Sequence, residues 1–255
     1  MRKNRLRDIW KAGETAINGW LQLPNTLSAE IVARQSWDSI TVDLQHGGVD
    51  EGHALQLLQM ISIGNAVPMA RAPWNEPGII MRLLDMGAYG IICPMVSNRE
   101  EAQRFVGACR FPPFPGGYRS NGPYRGLLYG GSDYQINAND EIVTLAMIET
   151  AEGMQKLDEI LDTPGLDGVY IGPSDLALAH GHAALQDNFT GPVADLIAKI
   201  REAAHRHGKV AGVHATSVAY AAAMRKDGFN IVTPTSDFRL VSAGGAAVLK
   251  ELGKG

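Results

Sequence analysis

Two carboxylates, Glu149 and Asp175, each close a short apolar run, the first over residues 142–149 and the second over residues 168–175. In a repeating strand-helix protein, acids at the carboxyl ends of neighbouring parallel strands open into one mouth, where oxygen ligands hold a hard divalent cation. The pair therefore points to a metal-assisted site; capping a helix or pairing with an arginine is the competing role for each acid alone. Other polar residues fall at the same level. Asp43-Leu-Gln-His-Gly47 follows Ile40-Thr-Val42, which puts Asp43 and His46 at the end of a second strand, and Arg71 ends the run Val67-Pro-Met-Ala70.

These residue types fit carbon-carbon bond chemistry through an enolate. A divalent ion on Glu149 and Asp175 would polarise the carbonyl of a 2-oxo acid as a Lewis acid. Arg71, permanently charged and shaped for bidentate contacts, would hold the ketone oxygen as negative charge develops there. His46, with an ordinary pKa near ~6.5, suits movement of an aldol hydroxyl proton. Gly172, Pro173, Ser174 and Asp175 open a helix whose free N–H groups would grip a substrate carboxylate. A lysine Schiff base would be the other route to the same electron sink, but no lysine ends a strand. Lys209 comes closest and begins its strand, on the wrong face.

What must position these residues is legible in the recurring apolar runs, near residues 17–21, 39–43, 67–71, 89–93, 142–149, 168–172, 209–213 and 229–234. Continuous rather than alternating runs suit strands buried on both faces, with helices as crossovers. Eight such units in 255 residues predict a single-domain (β/α)8 TIM barrel over residues 1–255. Helix punctuation agrees: Glu76-Pro-Gly78 opens a helix that Gly87 closes, Asn98-Arg-Glu-Glu101 has capping-box spacing, and Thr216-Ser217 and Ser236-Asp237 supply further caps. The first strand is not followed by the glycine fingerprint of a dinucleotide-binding sheet. Residues 110–131, rich in proline, glycine, arginine and aromatics, form an ordered functional or interface segment that leaves from the face opposite the site, so it reaches a catalytic mouth most easily in a neighbouring subunit.

The formal net charge of -4 gives no basic field for nucleic acid, and no run is long and apolar enough for a membrane span. Cys93 and Cys109 lack metal-site spacing and read as reduced core thiols, and the basic amino terminus lacks a secretion signal's apolar stretch. A cytoplasmic enzyme acting on small molecules is expected.

Taken in order, Gly19-Trp20, Val42-Asp-Leu-Gln-His-Gly47, Met69-Ala-Arg-Ala-Pro73, residues 87–94, Met147-Ile-Glu-Thr150 and Gly172-Pro-Ser-Asp-Leu176 resemble the class II, metal-dependent HpcH/HpaI aldolases, over nearly the whole chain. The resemblance implies reversible cleavage of 4-hydroxy-2-oxo acids to pyruvate, or an analogue such as hydroxypyruvate, and an aldehyde, supported by Mg2+, Mn2+ or Co2+. It implies Glu149 and Asp175 as metal ligands, His46 as acid/base, Arg71 as the enolate-stabilising cation, and Trp20 as a wall of the substrate pocket. Asp85, by its spacing from His46, looks like the acid a neighbouring subunit offers to that histidine, within a homohexamer built as a trimer of dimers with exchanged carboxyl-terminal helices.

Two positions depart from the family's pattern. Gln45 stands where many members carry glutamate, and Met147 where some carry glutamine, so the metal pair is kept while its surroundings change. An acyl-CoA lyase of the citrate-lyase-β or malyl-CoA type shares the enolate chemistry but needs a nucleotide cradle that this sequence does not display. A catalytically silent barrel is the alternative outside catalysis.

Overall fold

The computed structural model describes residues 1–254. Its strands are β1 (Ala16–Leu21), β2 (Ser39–Asp43), β3 (Val67–Arg71), β4 (Gly90–Cys93), β5 (Val143–Met147), β6 (Gly168–Ile171), β7 (Val210–His214) and β8 (Ile231–Thr233). Each pairs in parallel with its neighbour in sequence, and β1 pairs with β8 to close the barrel. All eight strands coincide with apolar runs of the sequence, because a strand sealed by helices outside and by barrel filling inside has no face left for water. Every residue of β2 to β6 is buried.

The helices are α1 (Arg5–Lys11), α2 (Thr26–Ala33), α3 (Glu51–Ile61), α4 (Pro77–Asp85), α5 (Arg99–Cys109), α6 (Tyr124–Gly130), α7 (Tyr134–Glu141), α8 (Ala151–Gln155), α9 (Leu157–Leu161), α10 (Pro173–Ala179), α11 (Pro192–Arg206), α12 (Val218–Lys226) and α13 (Asp237–Glu251). The Glu76 carboxylate caps α4 by accepting from the Ile79 N–H, and Gly87 follows with φ 100°. Asn98 caps α5 as expected, but no reciprocal box forms. The Glu101 carboxylate accepts instead from the Ser97 N–H at 2.7 Å, one residue before the cap.

Residues 110–131 belong to the face opposite the strands' carboxyl ends, as their place between helix and strand requires. The segment is a covering rather than a free loop, and it ends in α6. Three buried arginines stitch it down. Arg110 donates to the carbonyls of Ile142 and Gly165, Arg119 to Asp85 and Tyr134, and Arg125 to the carbonyls of Met86 and Leu58 and to Ser62 Oγ. These donors satisfy carbonyls at helix ends and strand starts that a closed barrel otherwise leaves bare. The same face receives the amino terminus, where the Asn4 side chain donates to the carbonyls of Tyr89 and Glu141. Cys93 and Cys109 are buried free thiols, and no helix among the described residues is long and apolar enough to cross a membrane.

Candidate active site

The site is built on strand register. In β2 and β3, Asp43 is the direct partner of Arg71, so two side chains at the carboxyl ends of adjacent strands lie side by side. Arg71 Nε donates to Asp43 Oδ1 at 2.8 Å and Nη2 to Oδ2 at 2.7 Å, a fork-to-fork pair. Burial alone would raise the Asp43 carboxyl, but the guanidinium overrides it and holds the pKa at about 2. Trp20 Nε1 and Gln22 Nε2 also donate to Asp43 Oδ2, and the guanidinium lies 5.0 Å from the Trp20 ring centre. Arg71 is thus locked in place by an anion, while Nη1 stays outside the pair.

Glu149 lies two residues beyond β5 and is 2% exposed. Its Oε1 accepts from the Met95 N–H at 2.9 Å; its Oε2 is buried with no hydrogen-bond partner. Met95 presents that N–H from a left-handed backbone, φ 58°, a strained conformation for a side chain of its size. Burial, with the charge of nearby Asp175 adding to it, lifts the Glu149 carboxyl to about 7. Asp175 is exposed, in the first turn of α10 rather than on the strand itself. No side chain caps α10, so the Ser174 and Asp175 N–H groups lie outside its ladder. A β-carbon at Gly172 would sit 2.3 Å from Glu149 Oε2; glycine is required there by close approach, since its φ of -96° suits any residue.

This arrangement fits a divalent cation. An unpartnered, buried carboxylate oxygen and a neighbouring exposed carboxylate are hard oxygen donors of the kind Mg2+ or Mn2+ takes. No group of three or more metal-ligating side chains occurs among the described residues, so Glu149 and Asp175 are the side chains that would hold such an ion.

One cavity of about 170 Å³ gathers Trp20, Gln22, His46, Arg71, Met147, residues 172–175, Gln186 and His214. It unites the sequence-derived residues Trp20, His46, Arg71, Gly172, Pro173, Ser174 and Asp175, while the buried Glu149 does not line it and approaches it behind Gly172. His46 is exposed, in the turn after β2. Asp85 does not line the cavity. It ends α4 on the opposite face, paired to Arg119 at 2.8 Å.

The sequence predicts that residues 22–26 and those near Val213 shape the pocket, which takes in Gln22 and His214 without a chemical role; Gln186 it does not predict. His214 ends β7, so the strand-end rule that found Arg71 applied equally to it. Burial and the charge of Arg71 hold its imidazole at about 3, and hence neutral. Trp20 packs against it edge-on at 4.8 Å, and Tyr170 Oη lies 3.4 Å from its Nδ1. Gln186 lies in the connection between α10 and α11, and no sequence signal aims a loop amide at a barrel mouth.

Comparison with known proteins follows this geometry. The model of the HpcH/HpaI aldolase/citrate lyase family matches residues 17–242. The chain belongs to that family. It is 44% identical over 248 residues, 97% of this chain and 98% of the relative, to a hydroxypyruvate/pyruvate aldolase from Rhizorhabdus wittichii. It is 35% identical over 260 residues, 98% of this chain and 95% of the relative, to a 4-hydroxy-2-oxo-heptane-1,7-dioate aldolase from Salmonella arizonae. A HpcH/HpaI aldolase/citrate lyase family crystal structure from Burkholderia cenocepacia superimposes with a TM-score of 0.90 at 27% identity, covering 98% of this chain and 99% of the other.

Gln45 and Met147, the two positions singled out in the sequence, both border the site. Gln45 donates its N–H to Asp43 Oδ1 at 3.1 Å, and its side-chain Oε1 is buried without a partner. Met147 lines the cavity, where its methyl would stand 3.0 Å from a β-carbon at Gly172. An apolar thioether thus forms the wall beside Glu149.

Proposed function

We propose that this HpcH/HpaI family member is a class II pyruvate aldolase, a carbon-carbon lyase that reversibly cleaves 4-hydroxy-2-oxo acids to pyruvate, or hydroxypyruvate, and an aldehyde. The observation that carries this reading is the buried, unpartnered Oε2 of Glu149, held beside Asp175 and the Arg71–Asp43 pair. A divalent cation on Glu149 and Asp175, whether Mg2+, Mn2+ or Co2+, supplies Lewis acidity to the 2-oxo carbonyl. Arg71 holds the C2 oxygen through the nitrogen outside its pair with Asp43 and stabilises the charge that develops there. The Ser174 and Asp175 N–H groups orient the substrate carboxylate. His46 takes the proton of the C4 hydroxyl as the C3–C4 bond breaks, and its electron pair enters the enolate that Arg71 holds. Protonation at C3 completes the oxo acid. Neutral His214 and Trp20 wall the site without adding charge. An acyl-CoA lyase would need a basic cradle for its nucleotide, and the one arginine lining the cavity among the described residues is paired with Asp43, which disfavours that reading.

In this reading the enzyme is cytoplasmic and works as a homohexamer, a trimer of dimers that exchange α13. Support comes from α13 itself, in which only Asp237 is buried while Phe238, Val241, Val248 and Leu249 are exposed. Asp85 of a neighbouring subunit would then reach His46. Exchange of the pyruvate methyl protons with deuterium, followed by NMR on metal-stripped protein, tests the donor half without an aldehyde. Exchange is expected only with added metal. Glu149→Ala and Asp175→Ala should abolish metal binding, whereas Arg71→Ala should keep the metal and lose exchange about 100-fold or more. Exchange indifferent to metal, or full activity in any of the three variants, would refute the assignment.

A further inference from the structure

The donor machinery accounts for only one side of the cavity. Besides Arg71, His46, Met147 and the start of α10, the cavity is lined by Trp20, Gln22, Gln186 and His214. Gln186 is unusual among them because its Oε1 is buried and has no hydrogen-bond partner. Leaving a buried amide oxygen unpaired is costly, and the ends of an amide exchange by a half-turn, so the group presents either an acceptor or a donor. Its loop is fixed: the adjacent Asp187 Oδ1 accepts from the Thr216 N–H at 2.8 Å, and the Asn188 side chain donates to the carbonyls of Leu185 and Gln186.

Among the described residues, the one arginine in the cavity lining is already paired. Arg71 is the one cation lining the cavity among the described residues, and Asp43 neutralises it. Outside the lining, Arg239 and Asp187 act on His214 with opposite sign. Among the residues that line the cavity no unpaired arginine or lysine meets a carboxylate at the far end of an acceptor, whereas the Gln186 amide complements a hydroxyl, which both donates and accepts.

Building on the aldolase reading above, we propose that Gln186 is the specificity-determining residue for the acceptor: it hydrogen-bonds a hydroxyl of the aldehyde, so that uncharged hydroxyaldehydes are preferred to aldehydes ending in a carboxylate. With pyruvate as donor, kcat/KM is measured for glycolaldehyde, glyceraldehyde, propanal and succinic semialdehyde in the wild type, Gln186→Leu and Gln186→Lys, and each protein is also assayed with hydroxypyruvate as donor and propanal as acceptor. Each value is referred to the pyruvate deuterium-exchange rate of the same protein. The wild type should favour glyceraldehyde over succinic semialdehyde. In Gln186→Leu the glycolaldehyde-to-propanal ratio should fall about tenfold, since an unmatched hydroxyl loses its partner, and Gln186→Lys should shift preference towards succinic semialdehyde. An unchanged ratio in Gln186→Leu, or a wild type that prefers the carboxylated aldehyde, would overturn the proposal while metal-dependent exchange leaves the aldolase reading standing. A Gln186→Leu protein altered only in its choice between hydroxypyruvate and pyruvate would assign the contact to the donor and equally overturn it. Absence of exchange in the wild type would overturn both readings together.

Discussion

At Glu149 the side chain must be ionised to bind a cation, yet burial favours its protonated form and places the pKa at about 7. The sign of the consequence follows. A carboxyl raised above its ordinary value disfavours the charged native form, so in the metal-free protein a destabilisation grows from the unfolded-state value upward and is complete above about pH 7. Cation binding offsets it, and below pH 7 the ion must displace a proton. Titration of the metal-stripped protein with Mn2+, read by electron paramagnetic resonance, should show apparent affinity weakening about tenfold per pH unit below 7; a flat profile between pH 5.5 and 7 would mean that the Glu149 carboxyl is not raised and binds the ion without displacing a proton. Asp43 behaves oppositely. Its carboxyl, at about 2, contributes stability that is present above its unfolded value and is lost only as pH falls through 2, so Arg71 keeps its anchor throughout the enzyme's working range.

Among the elements, the turn from β6 into α10 concentrates the most function in the fewest residues. Pro173 at the first helical position presets the backbone, Asp175 projects from the first turn, and Gly172 leaves room for Glu149 Oε2. Gly172→Ala is expected to fold, because its backbone angles suit alanine, but its β-carbon would displace the carboxylate. Cation affinity should fall about tenfold or more while thermal unfolding of the metal-free protein changes little; calorimetric titration beside a melting curve separates the two. An equal loss in both would mean that the glycine serves packing alone. The β2 and β3 ends show the same economy: register places Asp43 opposite Arg71, and no loop is needed to bring them together.

For the whole molecule, the proposed hexamer would give the exposed apolar face of α13 and the remoteness of Asp85 from its own cavity a common explanation. Light scattering should give a mass about six times 27.4 kDa. Mixing His46→Ala subunits with Asp85→Ala subunits, after dissociation and reassembly, should restore aldolase turnover that neither variant has alone. Failure to complement, with both variants assembled normally, would confine Asp85 to its bond with Arg119. In that outcome the arginine-bearing 110–131 segment is a seal for the barrel's lower face and nothing more.

Fold and donor chemistry were legible in the sequence because both depend on local pattern. Continuous apolar runs mark strands buried on two faces, and parallel strands bring whatever ends them to one mouth, so position made Arg71, Glu149 and Asp175 candidates, and the resemblance to the HpcH/HpaI aldolases supplied their proposed roles. His214 obeyed the same rule, and its place in the cavity was there to be read. What only the tertiary structure decided rests on contacts between distant segments. Met95 takes a left-handed backbone to reach Glu149, which no methionine advertises. Gly172 is small because of an oxygen from another strand end, and Gln186 enters the cavity because Asp187, its neighbour, is bound to the loop after β7. Periodicity fixes which residues share a face, whereas the path of a loop is set by hydrogen bonds its own sequence does not contain.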